Sequence, residues 1–112
     1  MISITRGHGF QITMNGWTVS VQIGANNYCE RRSFMGDEAI RELKSQAVEC
    51  RPESKNAEVA VFSDNHNKVI WHTREVWVDL FGEELHDDVA GHVSTEDVCK
   101  VIEYVANYKG GR

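Results

Sequence analysis

The sequence predicts an α+β domain, an antiparallel β-sheet built from hairpins with a C-terminal amphipathic helix packed on one face as a second layer. Three observations predict it: an Asn-Gly pair between two alternating runs, a second pair of β-rich runs around a polar turn, and an apolar stripe of helical period near the C-terminus. The 112 residues read as a single domain, 1–112. A chain of this length buries about 65% of the surface its unfolded form exposes, enough for one core.

The first hairpin lies between Gly9 and Gly24. Asn15-Gly16 separates Phe10-Gln11-Ile12-Thr13-Met14 from Trp17-Thr18-Val19-Ser20-Val21-Gln22-Ile23. Asn-Gly takes positive φ at both positions, as a two-residue type I′ turn requires. That turn pairs Met14 with Trp17, Ile12 with Val19 and Phe10 with Val21, all apolar. The opposite face pairs Thr13 with Thr18 and Gln11 with Ser20, all polar. A slip of one residue would mix the faces, so turn chemistry and pattern specify one register. The polar face (Gln11, Thr13, Thr18, Ser20) suits contact with another layer or a second copy, so a homodimer is one expectation.

Ile2-Ser3-Ile4-Thr5 reads as a short strand before the Gly7-His8-Gly9 break, and Ala25 to Arg32 as a loop. Ile40, Leu43 and Ala47 permit a helix from Asp37 to Cys50, and Arg51 to Asn56 is a connector. Ala57 to Phe62 and Lys68 to Thr73 form the second hairpin, with Ser63-Asp64-Asn65-His66-Asn67 as a longer loop. Val76, Val78 and Leu80 alternate with Glu75, Trp77 and Asp79, the pattern of a half-buried strand. Gly82 to Gly91 is polar and acidic. Ser94 is a suitable N-cap, Asp97 follows three residues on, and acids fill the first turn. Val98, Val101, Ile102, Val105 and Tyr108 then share one face of a helix from about Thr95 to Tyr108, closed by Lys109 and Gly110-Gly111.

Net charge is −5, from 17 acidic and 12 basic side chains. That balance opposes non-specific nucleic-acid binding, which depends on basic side chains neutralising phosphates. It suits a partner with a basic surface. Three cysteines, Cys29, Cys50 and Cys99, contain no CxxC pair, the usage of a reducing compartment. No signal peptide or membrane-length apolar run is visible, so a cytoplasmic location is expected.

Asn15-Gly16-Trp17-Thr18-Val19-Ser20-Val21-Gln22-Ile23-Gly24, followed by Asn27-Tyr28-Cys29, resembles a pattern in small uncharacterised bacteriophage proteins. Those chains carry a similar hairpin and then a Gly-x-x-Asn-Tyr-Cys loop. The resemblance continues through Ala57-Glu58-Val59-Ala60-Val61 with Asp64 and Asn67, and ends in the helix opened by Ser94. It covers roughly two thirds of the chain and omits Ser33 to Asn56. It implies a phage or prophage origin and a host-facing, defence-countering role, an implication by association and not by chemistry.

Four groups of residues could carry chemistry. In the loop after the first hairpin, Asn27, Tyr28, Cys29 and Arg31 could hold an anionic metabolite or nucleotide, the guanidinium gripping phosphate and the phenol ring stacking. The competing reading is a structural corner with Tyr28 and Cys29 tucked under the sheet. The stretch from Glu75 to Asp88 holds Glu75, Asp79, Glu83, Glu84, Asp87 and Asp88 without a Lys or Arg. With Trp77 as an anchor, this acidic row could meet a basic partner in place of a phosphate backbone; a solvated face is the simpler account. Trp77 itself reads either as exposed beside those acids or as covered by the segment from Asp37 to Cys50.

The other two groups are enzymatic. Cys29 could serve as a nucleophile if a base lowered its pKa, although no local hydrolase motif is present. His86, Asp87, Asp88 and His92 are permissible metal ligands whose spacing matches no named site. Asp64-Asn65-His66-Asn67 lacks the Glu and Gly of a calcium loop and reads as turn chemistry. No nucleotide-binding glycine signature is present, and the motifs call for no cofactor or metal. The expected function is therefore a phage accessory protein that binds and does not catalyse. A small-ligand binder is the alternative, and a Cys- or metal-dependent enzyme a second one.

Overall fold

The computed structural model of the chain describes residues 1–4, 9–23 and 54–109. In order, these form β1 (Ile2–Ile4), β2 (Gly9–Met14), β3 (Trp17–Gln22), β4 (Asn56–Asn65), β5 (Lys68–Trp71), α1 (Thr73–Phe81), β6 (Ala90–Ser94) and α2 (Thr95–Ala106). The six strands make one antiparallel sheet in the order β1-β2-β3-β4-β5, with β6 also paired to β4. The expected α+β class, hairpin-built with the C-terminal helix on the sheet, is what the chain adopts.

Asn15 and Gly16 hold φ of 53° and 79°. This pair of left-handed residues is the two-residue hairpin turn that Asn-Gly favours. It sets the register as expected, with Met14 opposite Trp17, Ile12 opposite Val19 and Phe10 opposite Val21. On the polar face the Thr13 and Thr18 hydroxyls share a hydrogen bond of 2.9 Å. The turn also reaches across the layers. The Asn15 amide donates to the last two carbonyls of α2, Val105 at 2.8 Å and Ala106 at 2.9 Å, the first of which also accepts from the Tyr108 N–H at 3.3 Å.

β4 is the central strand. Val59 lies between Val21 of β3 and Ala90 of β6, and Phe62 lies between Thr18 of β3 and Trp71 of β5. Alternation places Ala57, Val59, Val61 and Ser63 on the helix-facing side, all buried. A register shift between Ala57 and Val59 separates the two pairs that β6 makes there. The core joins these residues to Trp17, Val19 and Val21 and to Val76, Trp77, Val93, Val101 and Val105. At the start of α2, the Asp97 backbone N–H donates to the Ser94 hydroxyl at 3.2 Å, the cap expected for that residue. Among the described residues no helix is long and apolar enough to cross a membrane.

Four expectations need correction. The second hairpin closes with a two-residue turn at His66-Asn67, with φ of 52° and 64°, so β4 runs on to Asn65, while β5 stops at Trp71 because Thr73 already opens α1. The half-buried strand expected around Val76 to Leu80 is instead α1. β6 occupies Ala90–Ser94, where only a polar stretch and a cap were expected. The last helix stops at Ala106, where the Asn107 N–H donates to Glu103 O at 3.0 Å. The helix expected from Asp37 to Cys50 falls outside the described residues.

Two substitutions test the turns. Asn15→Gly keeps the backbone conformation and removes both bonds to α2, so urea unfolding should show a loss of about 1–2 kcal/mol. Asn15→Ala adds left-handed strain and should lose about 1 kcal/mol more. A Gly variant as stable as the parent would show that the amide bonds do not hold the helix. At the second turn, His66→Asn with Asn67→Gly should raise stability by about 1 kcal/mol, since both φ values are already those of an Asn-Gly turn.

Candidate functional site

In α1, Val76 and Trp77 are buried, and Leu80 and Phe81 are half-buried one turn later. This spacing is one face of a helix. The opposite face presents Arg74, Glu75, Val78 and Asp79 to solvent. Gly82 ends the helix in the left-handed region at φ 64°, its N–H donating to Val78 O at 3.0 Å. The chain then doubles back, and Arg74 ties the returning segment to the helix. Its Nη2 donates to His86 O at 3.2 Å, and its Nε lies 3.7 Å from Asp88 Oδ1. Between helix and loop lies a shallow hollow of about 350 Å³ lined by Arg74, Glu75, Val78, Asp79, Glu84 and Leu85.

This arrangement gathers most of the acids singled out in the sequence. Glu75, Asp79, Glu83, Glu84 and Asp87 are exposed on α1 and the loop after it, while Asp88 is half-buried against Arg74. Asp87 Oδ1 accepts the Asp88 N–H at 2.7 Å, which fixes the bend there. Trp77 does not belong to the surface. It is 5% exposed and packs its ring 5.1 Å from that of Phe81, because a helical period turns it inward where a strand period would have grouped it with Glu75 and Asp79. The apolar side chain among the acids is Val78, 52% exposed.

Asp79 also joins the two helices. The Tyr104 hydroxyl of α2 donates to Asp79 Oδ2 at 2.8 Å. Burial, then the hydrogen bond to Asp79 and its negative charge, hold the Tyr104 hydroxyl well above the ordinary phenol value of 10.0. From Tyr104 a series of rings runs into the core. Tyr104 lies 5.9 Å from Tyr108, Tyr108 is 4.2 Å from Trp17, and Trp17 is 4.1 Å from His72 at an interplanar angle of 14°. A second hollow of about 420 Å³ beside these tyrosines includes Leu80, Lys100 and Lys109 in its lining.

His72 carries an arrangement that sequence reasoning missed. Its Nε2 is 3.0 Å from Ser63 Oγ and its Nδ1 is 3.4 Å from Glu75 Oε2. The order Ser-His-Glu is the connectivity of an acyl-transfer triad. Ser63 and His72 meet across the β4–β5 hairpin, so their spacing in sequence resembles no motif. The chemistry fails on access. Ser63 is 1% exposed and Trp17 covers one face of the imidazole, leaving no route for a carbonyl to reach Ser63 Oγ. The three groups fasten the start of α1 to the sheet, as does Thr73, whose Oγ1 accepts from Val61 N at 2.9 Å and donates to Val61 O at 3.2 Å.

The remaining sequence candidates are not brought together. Asn27, Tyr28, Cys29 and Arg31 lie outside the described residues. Among the described residues no three His, Cys, Asp or Glu side chains converge as metal ligands, so His86, Asp87, Asp88 and His92 do not form a set. Cys99 is a free, exposed thiol on α2.

The Tyr104–Asp79 bond has a pH signature. The folded state holds the Tyr104 proton more tightly than the unfolded chain, so this contribution is complete below pH 10.0 and disappears as pH rises further. Unfolding measured against alkaline pH should show the decline, and Tyr104→Phe should flatten it. An ultraviolet titration should find one of the three tyrosines ionising last, and Asp79→Asn should bring that step back toward the others.

Comparison with known proteins finds no matching family model, no significant match among curated proteins and none among solved structures.

Proposed function

We propose that this protein acts by binding and not by catalysis, and that the acidic face of α1 and the loop after it receives a basic partner. The observation that carries this reading is the exposure of Glu75, Asp79, Glu83, Glu84 and Asp87 around a solvent-facing Val78. Arg74 is the cation nearest in sequence, and it is engaged with Asp88 and the His86 carbonyl. A cluster of one sign on a rigid helix and a tethered loop raises the encounter rate with an oppositely charged surface. An apolar side chain at its centre adds contact area once water is displaced.

A row of carboxylates can occupy a groove built for phosphates, so the partner we favour is one that itself grips nucleic acid. Together with the resemblance to phage proteins, this supports reading the chain as a phage or prophage accessory protein that blocks a host defence factor. The burial of Ser63 weighs against an acyl-transfer reading of the His72 cluster.

The test is capture from a host lysate on the immobilised protein. A captured partner should be released by salt and displaced by duplex DNA. It should be lost when Glu83→Lys, Glu84→Lys and Asp87→Lys are combined, three exposed positions whose side chains leave the core untouched. Capture of the same protein by that variant, undiminished and insensitive to salt, would overturn the proposal.

A further inference from the structure

We propose that the outer edge of β5 is a self-association surface, on which a second copy of this chain adds its own β5 antiparallel to make one continuous sheet. This surface shares only Glu75 with the acidic face and uses none of the residues from Glu83 to Asp88, so Ile70→Lys tests it separately from that face.

β5 is an edge strand, and among the described residues no strand pairs with its outer side. All four of its residues are exposed, and three are large and apolar: Val69 at 45%, Ile70 at 38% and Trp71 at 46%. Edge strands in proteins that remain apart are usually blunted by charge, proline or a bulge. Here the one charge is Lys68, at the end of the strand.

The backbone of β5 selects the partner's register. Asn65 pairs with Lys68 next to a two-residue turn, and the His72 N–H donates to Val61 O at 2.8 Å. In an antiparallel ladder the inward and outward groups alternate, so Lys68, Ile70 and His72 direct their N–H and C=O groups at β4. Val69 and Trp71 therefore direct theirs outward. A two-fold axis through Ile70 places Val69 of one copy opposite Trp71 of the other, twice over, and each pair exchanges two backbone hydrogen bonds.

The side chains agree with this register. Val69 and Trp71 share the sheet face of Phe62, whose ring already packs edge-on against Trp71 at 5.5 Å. Pairing places each Val69 against the other copy's Trp71, a β-branched residue facing an aromatic one. On the helix side, Ile70 meets its own symmetry mate. Lys68 comes opposite His72 of the second copy, whose ring has Glu75 on its Nδ1 side, so two Lys68–Glu75 attractions flank the axis. Charge, shape and backbone are thus self-complementary in one register. The strand is short, and the area it buries lies below the roughly 800 Å² per partner of a stable interface, so the dimer is concentration-dependent.

Sedimentation equilibrium of the full chain, from about 10 µM to about 1 mM, should show a monomer–dimer equilibrium. Ile70→Lys sets two like charges across the axis and should leave only monomer, with its fold checked by circular dichroism. Lys68→Glu and Glu75→Lys should each weaken dimerisation about fivefold or more, and the two together should restore it. The charge exchange decides the matter if Ile70→Lys fails to fold. A parent chain that stays monomeric throughout, or a dimer unaffected by Ile70→Lys or by the single charge changes, would overturn the inference.

Discussion

The Asn15-Gly16 turn is the constraint on which the rest of the structure depends. Its φ values allow one register, and that register sends Trp17 to the helix-facing side of the sheet. Trp17, 1% exposed, then stacks between His72 at the end of β5 and Tyr108 beyond α2. Asn15 bonds the last carbonyls of α2 from the same turn. Two residues of one turn, Asn15 and Trp17, therefore hold the end of α2, by a cap and by a ring stack. A slip of one residue would move Trp17 to the polar face and withdraw both contacts together.

The first hairpin and the last helix were legible because each is specified twice. Turn chemistry and alternation agree in the hairpin; cap residues and helical period agree from Ser94 onward. The stretch from Thr73 to Phe81 was illegible for the opposite reason. Val76, Val78 and Leu80 satisfy period two, while Val76, Trp77, Leu80 and Phe81 satisfy period 3.6, and nine residues are too few for pattern alone to decide. What decides is tertiary: Thr73 bonds to Val61 where β5 gives out, and Gly82 takes a left-handed cap at the other end. The Gly was a readable stop signal. The Thr73 bond, made to a residue twelve positions earlier, was not.

The same period determined what could be foreseen of the site. The acids were visible as a charge run, and their exposure follows from charge alone. Which apolar residue stands among them depends on whether the segment is strand or helix, so Trp77 and Val78 exchange roles between the two readings. The Ser63–His72–Glu75 contacts were beyond sequence reasoning because they require the β4–β5 register. That register rests on a turn whose residues, His66 and Asn67, lack the glycine that marks the first one.

The hydrogen bonds around α1 also rank the carboxylates of its surface. Glu75 faces the His72 ring, Asp79 accepts from Tyr104, and Asp88 faces Arg74, so each is held at least in part by the protein's own groups. Among the described residues no cation lies within ion-pair distance of Glu83, Glu84 or Asp87. These three keep their hydration and their full field in the free protein. A basic surface would gain most from Glu83 and Glu84, where it displaces water, while Asp87 also accepts the Asp88 N–H. The inner acids place the loop, and the outer acids are left for a partner. The same division separates the residues that shape this surface from Glu83 and Glu84, whose charge can be reversed without disturbing the fold.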